Sequence, residues 1–146
     1  MKFELVTPEQ RLANLEAVEV RIPGAEGDFG VLEGHQPLLS TLRPGTVVVV
    51  TAKEEKHFSV GYGFADVSPV GVTVMAEEAV AAENIDSEAA QKRVDELSET
   101  ISDLLGKSPD LVKGMGDEEL SSAYQSACKE KTVLEAQLVT KNTQAA

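Results

Sequence analysis

The spacing of apolar residues changes once along this chain, near residue 84, and that change restricts the fold more than any other feature. Before it, short runs alternate apolar and polar residues. Val18, Val20 and Ile22 are interleaved with Glu19 and Arg21, the pattern of a strand with one buried face. Phe3–Thr7, the β-branched run Thr46–Thr51, His57–Val60, Phe64–Ser68 and Val72–Ala76 continue the series. Of the 11 glycines and 6 prolines, 8 and 5 lie in this part, between the runs. Strands recurring about every ten residues with glycine turns predict an antiparallel sandwich or barrel rather than βαβ units. After Glu83 the period becomes helical. Ala90, Val94, Leu97, Ile101 and Leu104 line one face, with Asp86 or Ser87 able to cap the first turn and Gly106 and Pro109 closing the last. Leu120, Tyr124, Ala127, Leu134 and Leu138 make a second stripe, with Asp117 as its cap. The expectation is a β-domain over residues 1–84 and an antiparallel helical hairpin over 85–146, with helices at about 87–105 and 117–141. One stripe per helix predicts a hairpin only weakly docked on the rest.

Charge removes several functions. The 146 residues carry 13 Lys and Arg against 25 Asp and Glu, a formal charge of −12. Backbone binding to nucleic acid and adhesion to anionic lipid both need the opposite sign. The longest run without a charged residue is Val67–Ala76, too short for the roughly 20 apolar residues of a membrane span. A lone cysteine, Cys128, excludes an internal disulfide and reads as a packing residue in a reducing compartment. The opening Met1-Lys2-Phe3-Glu4 lacks the order of a secretory signal.

Catalytic patterns fall short as well. Gly106-Lys107-Ser108 ends like a phosphate loop, but Ile101 stands where its first glycine belongs. Gly61-Tyr62-Gly63 meets Asp66 where a dinucleotide fingerprint needs glycine, and reads as a strand corner. The two histidines, His35 and His57, have no Cys or His at ligand spacing, so no metal site is expected. No Gly-x-Ser-x-Gly elbow occurs. A stand-alone ligand-binding sandwich, or a scaffold with a helical hairpin, is the alternative reading. With 4% aromatic residues and no Trp, stacking surfaces for a ligand are scarce.

The segment from Glu26 to Gly45 carries the strongest signal. Glycines at 27, 30 and 34 with Pro37 and Pro44 brace a turning loop. Its Phe29, Leu32, Leu38, Leu39 and Leu42 are too many apolar groups for an idle surface. Here the chain resembles the epsilon subunit of the rotary proton-translocating ATP synthase, called delta in mitochondria. The resemblance runs through Val6-Thr7-Pro8-Glu9, Glu26-Gly27-Asp28-Phe29-Gly30-Val31-Leu32, Gly34-His35-Gln36-Pro37-Leu38-Leu39 and Leu42-Arg43-Pro44-Gly45. It continues through Gly63-Phe64-Ala65-Asp66-Val67, Val72-Thr73-Val74-Met75-Ala76 and Ile85-Asp86.

That resemblance implies a segregated α+β fold: a flattened sandwich of about ten antiparallel strands, then a two-helix hairpin. It implies a non-catalytic central-stalk subunit without cofactor, turning with the gamma subunit and the membrane c-ring on the cytoplasmic face of a bacterial inner membrane. By family position, Glu26, Asp28, Phe29 and Gly30 would face the c-ring. Thr7, His35, Pro37, Leu38, Leu39 and Leu42 would serve the gamma contact, and the C-terminal helices could reach the alpha and beta subunits. Two departures stand out. The family's ATP motif, Ile/Leu-Asp-x-x-Arg-Ala, reads Ile85-Asp86-Ser87-Glu88-Ala89-Ala90, with Ala89 in place of the phosphate-binding arginine. Residues 85–146 hold 7 basic and 12 acidic groups, which sets them against acidic partners and predicts at most weak inhibition of ATP hydrolysis.

Overall fold

The computed structural model describes residues 1–107 and 118–145. Ten strands come first: β1 Lys2–Val6, β2 Arg11–Glu16, β3 Glu19–Gly24, β4 Gly27–Leu32, β5 Leu38–Leu42, β6 Gly45–Val50, β7 Glu55–Val60, β8 Gly63–Ser68, β9 Gly71–Ala76 and β10 Ala79–Ala81. A 3-10 turn at Ala82–Asn84 leads to α1, Ser87–Lys107, and α2 is Glu118–Ala145. The hydrogen-bonded order is β10-β7-β6-β3-β5-β8-β9-β1-β2, with β4 paired to β3 outside that path. Neighbours are antiparallel except β1 and β9. The sheet folds over at β3, which pairs with β6 through Glu19–Arg21 and with β5 at Gly24.

Alternation decides what lies inside. Phe3 and Leu5, Val20 and Ile22, Val47 and Val49, Val72 and Val74 all point into one core with Val31, Phe58, Val60, Ala65 and Val67. These side chains are essentially sealed from water, and each contributes roughly 1.5–3 kcal/mol relative to exposure. Tight corners use glycine where a side chain has no room. A Cβ on Gly63 would stand 2.0 Å from the Met75 carbonyl oxygen. At the β3–β4 tip, Gly27 has φ 140°, a conformation open to glycine and costly to other residues.

Two expectations change against this frame. The braced segment after Glu26 is not one loop. It holds β4 and β5, and Asp28, Phe29 and Gly30 lie in a strand. The first helix passes Gly106 and ends at Lys107. Asp117 and Pro109, read as cap and breaker, lie outside the described residues.

The hairpin rests on the sandwich. α1 buries Ala90, Val94, Leu97 and Leu104 and runs against α2. α2 also covers the outer face of β6 and β7. There the Thr46 and Thr140 hydroxyls are 2.6 Å apart. Because Thr140 donates its own proton to the Ala136 carbonyl at 2.8 Å, Thr46 is the donor of this bond. Lys141 reaches the Ala82 carbonyl at 3.3 Å. The seam carries polar groups that are less well served: among the described residues, the buried His57 Nδ1 and Ser59 Oγ have no hydrogen-bond partner.

Candidate functional site

Two surfaces gather the residues singled out in the sequence. The first is the β3–β4 hairpin. Its register runs from Glu19↔Leu32 to Gly24↔Gly27 without a shift, leaving Ala25 and Glu26 as a two-residue turn. Glu26, Asp28 and Gly30 are exposed, while Phe29 is half-buried and packs on the core. Arg43, from the β5–β6 turn, forms an ion pair with the Asp28 carboxylate. The Arg43 amide also donates to the Pro23 carbonyl at 3.1 Å, so the β5–β6 turn is tied to the hairpin by backbone and side chain together.

The second surface is the outer face of β5, β8, β9 and β1. Phe64 lies opposite Thr41 and Met75, and Met75 lies beside Val6. Leu39, opposite Asp66, shares that face. Leu39 is 68% exposed, Phe64 50% and Met75 42%. Large apolar groups left in water side by side on one sheet face mark a docking surface. A shallow cavity of about 330 Å³ is lined by Thr7, Pro8, Phe64 and Met75 among others. Thr7 itself closes the β1–β2 turn, its hydroxyl donating to Gln10 O at 3.1 Å.

The remaining residues predicted for a gamma contact separate. His35 and Pro37 occupy the β4–β5 loop, where the His35 amide donates to Leu32 O and its ring Nδ1 lies 2.6 Å from Gln36 O. Leu38 pairs with Val67 on the inward parity and, at the start of its strand, is 41% exposed. Leu42, 3% exposed, is in the core; it supports the face from beneath and does not present a surface. Phe64 and Met75 were not singled out. Alternation could have found them, because Phe64 shares its parity with Asp66 and Met75 with Thr73, the polar sides of their strands.

Residues 1–82 match the family described as ATP synthase, Delta/Epsilon chain, beta-sandwich domain. The ATP synthase epsilon chain of Fuscovulum blasticum is 44% identical over 98 residues, covering 67% of this chain and 75% of that one. That of Rhodobacter capsulatus is 51% identical over 77 residues, 53% of this chain and 58% of its own. The chain belongs to the ATP synthase delta/epsilon family. Among solved structures, a chain of the Euglena gracilis mitochondrial ATP synthase shares the fold, with a TM-score of 0.71, 24% identity and coverage of 92% and 76%.

Within the family frame, Asp86 has a local task. Its Oδ1 accepts the Ala89 amide at 3.1 Å, the geometry of an N-cap closing the first turn of α1. Ile85 is buried beneath it. Further along, Arg93 of α1 grips Glu130 of α2 through two bonds of 2.9 and 3.2 Å. Its hydrogen bonds to Glu130 and then Glu96 hold its pKa above the usual arginine value. Lys129 lies 5.5 Å from the Tyr62 ring centre at the β7–β8 corner, and Cys128 is half-buried beside Tyr124, whose phenol pKa is raised chiefly by their hydrogen bond. Among the described residues no group of three His, Cys, Asp or Glu side chains is arranged to hold a metal, and no helix is long and apolar enough to cross a membrane.

Proposed function

We propose that this chain is a non-catalytic rotor subunit of ATP synthase that couples rotation of the c-ring to the gamma shaft. It joins a membrane-associated complex through its partners, on the cytoplasmic side of a bacterial membrane. The exposed apolar face of Leu39, Phe64 and Met75 carries this reading. A free-standing protein gains nothing from three large apolar groups in water, whereas a subunit buries them against a partner. Gamma occupies this face, with Thr7 at its rim and Leu42 supporting it from beneath, while Leu38 and the β4–β5 loop residues His35 and Pro37 contribute from its border. The acidic β3–β4 hairpin, Glu26 to Gly30, lies toward the polar loops of the ring. Two contacts on separate surfaces of one stiff sandwich let torque pass between partners with little deformation.

Placing a charge in the apolar face tests the assignment. Phe64→Asp should abolish co-purification with gamma while the isolated chain keeps its unfolding temperature. A variant that still assembles would remove gamma from this face. The helices contribute at most weak inhibition, given their acidic balance. Truncation after Ala82 should therefore leave ATP hydrolysis by the assembled enzyme nearly unchanged, and a large rise would overturn that part.

A further inference from the structure

We propose that the β4 strand binds its partner by main-chain strand addition along its open edge, and that the partner segment is a short, extended, basic loop. The inference rests on the ring-facing assignment of the β3–β4 hairpin and specifies how that contact is made.

The register fixes which backbone groups are available. In a two-residue hairpin the flanking pair, Gly24 and Gly27, exchanges hydrogen bonds, and hydrogen-bonded pairs then recur at every second position. Gly27, Phe29 and Val31 therefore direct their backbone groups toward β3. β3 supplies an independent check. The Pro23 carbonyl and the Ala25 amide bond to Arg43 and Thr41 on its other side, so Gly24 must face β4. It follows that Asp28, Gly30 and Leu32 direct their N–H and C=O groups to the open edge. The Leu32 carbonyl takes the His35 amide at 3.1 Å. The Asp28 and Gly30 amides and carbonyls and the Leu32 amide have no protein partner among the described residues.

Open edges are normally blunted by proline, bulges, brevity or projecting charge. The other two edges of this sheet follow that rule: β10 has only three residues, and β2 carries a register shift where Val6 meets Arg11. β4 has neither device. It spans six residues, contains no proline, and pairs without irregularity. Its one charged side chain, Asp28, is neutralised by Arg43. Gly30 adds no bulk to the exposed face.

Charge names the occupant. Because Arg43 already engages Asp28, this carboxylate is a weak point of attachment for an incoming cation. Glu26 and Glu33 bracket the edge, both exposed and without an ion pair among the described residues. They favour a strand bearing Arg or Lys and disfavour a second copy of this chain, which would set like charges together. From Asp28 to Leu32 the edge is about 13 Å at roughly 3.3 Å per residue, room for about four or five partner residues. That length suits a loop tip.

Gly30→Pro tests the mechanism cleanly. The proline removes an outward N–H, leaves the ladder to β3 untouched, and fits an edge strand. A Cβ at Gly30 meets only Glu19 Oε1, at 3.5 Å. The variant is titrated into ATP synthase depleted of this subunit. Gly30→Pro should weaken rebinding about tenfold or more and lower ATP-driven proton pumping; tenfold corresponds to about 1.4 kcal/mol. Circular dichroism of the free chain checks folding. Leu32→Pro, which removes the next outward amide, decides the matter if Gly30→Pro fails to fold. Parent-like rebinding by the folded proline variant overturns strand addition. An Asp28→Cys variant separates the two layers of inference. If it still cross-links to the ring while the proline variant rebinds normally, only the strand mechanism falls. If no cross-link to the ring forms, the ring-facing assignment itself falls.

Discussion

The two faces of β6 and β7 bury comparable positions in opposite ways. Inward, Val47, Val49, Phe58 and Val60 meet an apolar core with no polar side chain among its members. Outward, Thr46, Val48, His57 and Ser59 meet α2, and this seam mixes one hydroxyl pair with two orphaned polar groups. His57 has only 10% of its side chain exposed, yet its Nδ1 finds no partner among the described residues. A buried polar atom left without a hydrogen bond costs about 1–3 kcal/mol, which subtracts from what the packing of the seam contributes. The same strands therefore meet an apolar surface on one side and a partly polar one on the other.

The sharpest way to break the comparison is to damage the inner face. Leu5 is fully buried, and Leu5→Ala should cost about 2–5 kcal/mol. Chemical denaturation should show the sandwich and the docked hairpin lost together, because the hairpin has no surface once β6 and β7 come apart. Survival of the seam with a melted sandwich would mean that the helices stand alone.

Perturbing the outer face should have smaller effects, and of both signs. Thr140→Val keeps the shape of a fully buried side chain but deletes its bond with Thr46, costing about 1 kcal/mol. Hydrogen exchange should quicken for amides along α2 while the core strands stay protected. Ser59→Ala removes an orphaned hydroxyl and should be neutral or stabilising by up to about 1 kcal/mol. If Ser59→Ala instead destabilises the chain, the hydroxyl has a partner and the account of a poorly satisfied seam is wrong.

The same contrast explains how much of the fold the amino-acid pattern discloses. The inward row of β3 is legible because Val20 and Ile22 alternate with Glu19 and Arg21; β6, β8 and β9 also carry apolar residues outward, at Val48, Phe64 and Met75, so their spacing marks the strands and not the buried face. The stripe of α1 was legible because that helix has one principal partner, α2. The α2 stripe was only partly so. Val133 and Thr140, seven residues apart, fall on a further face, and Thr140 serves the sheet while Ala127 is buried elsewhere. A helix shared between two partners shows no single period. β4 was hidden for another reason: its outward positions, Asp28, Gly30 and Leu32, obey no polarity rule. At the candidate surfaces, parity was the missing step. Leu39 and Leu42 lie in one strand, but Leu39 faces water and Leu42 the core, a distinction that requires knowing where β5 begins.

The smallest expected effect is a dependence on pH at one corner of the seam. Glu78 sits at the β9–β10 turn, its carbonyl accepting the Gly61 amide at 2.9 Å and its side chain lying over Gly61. Partial burial raises its pKa above the ordinary value, and the charges of Glu130 on α2 and Glu77 beside it raise it further. Of the helix cations, Lys129 lies over Tyr62 and Arg93 is bound to Glu130 and Glu96. A carboxyl whose folded pKa is raised binds its proton more tightly in the folded chain than in the unfolded one. Its contribution is thus present below the ordinary pKa and is lost as pH rises through the raised one. At neutral pH the ionised Glu78 opposes docking of α2. Glu78→Gln should then raise the unfolding temperature slightly at pH 7, with the advantage disappearing as the pH falls below the ordinary carboxyl range. A melting series across that range reads the sign directly. A parent chain that is the more stable of the two at pH 7 would mean that Glu78 holds the hairpin down, and that the seam is tighter on this side than its orphaned groups imply.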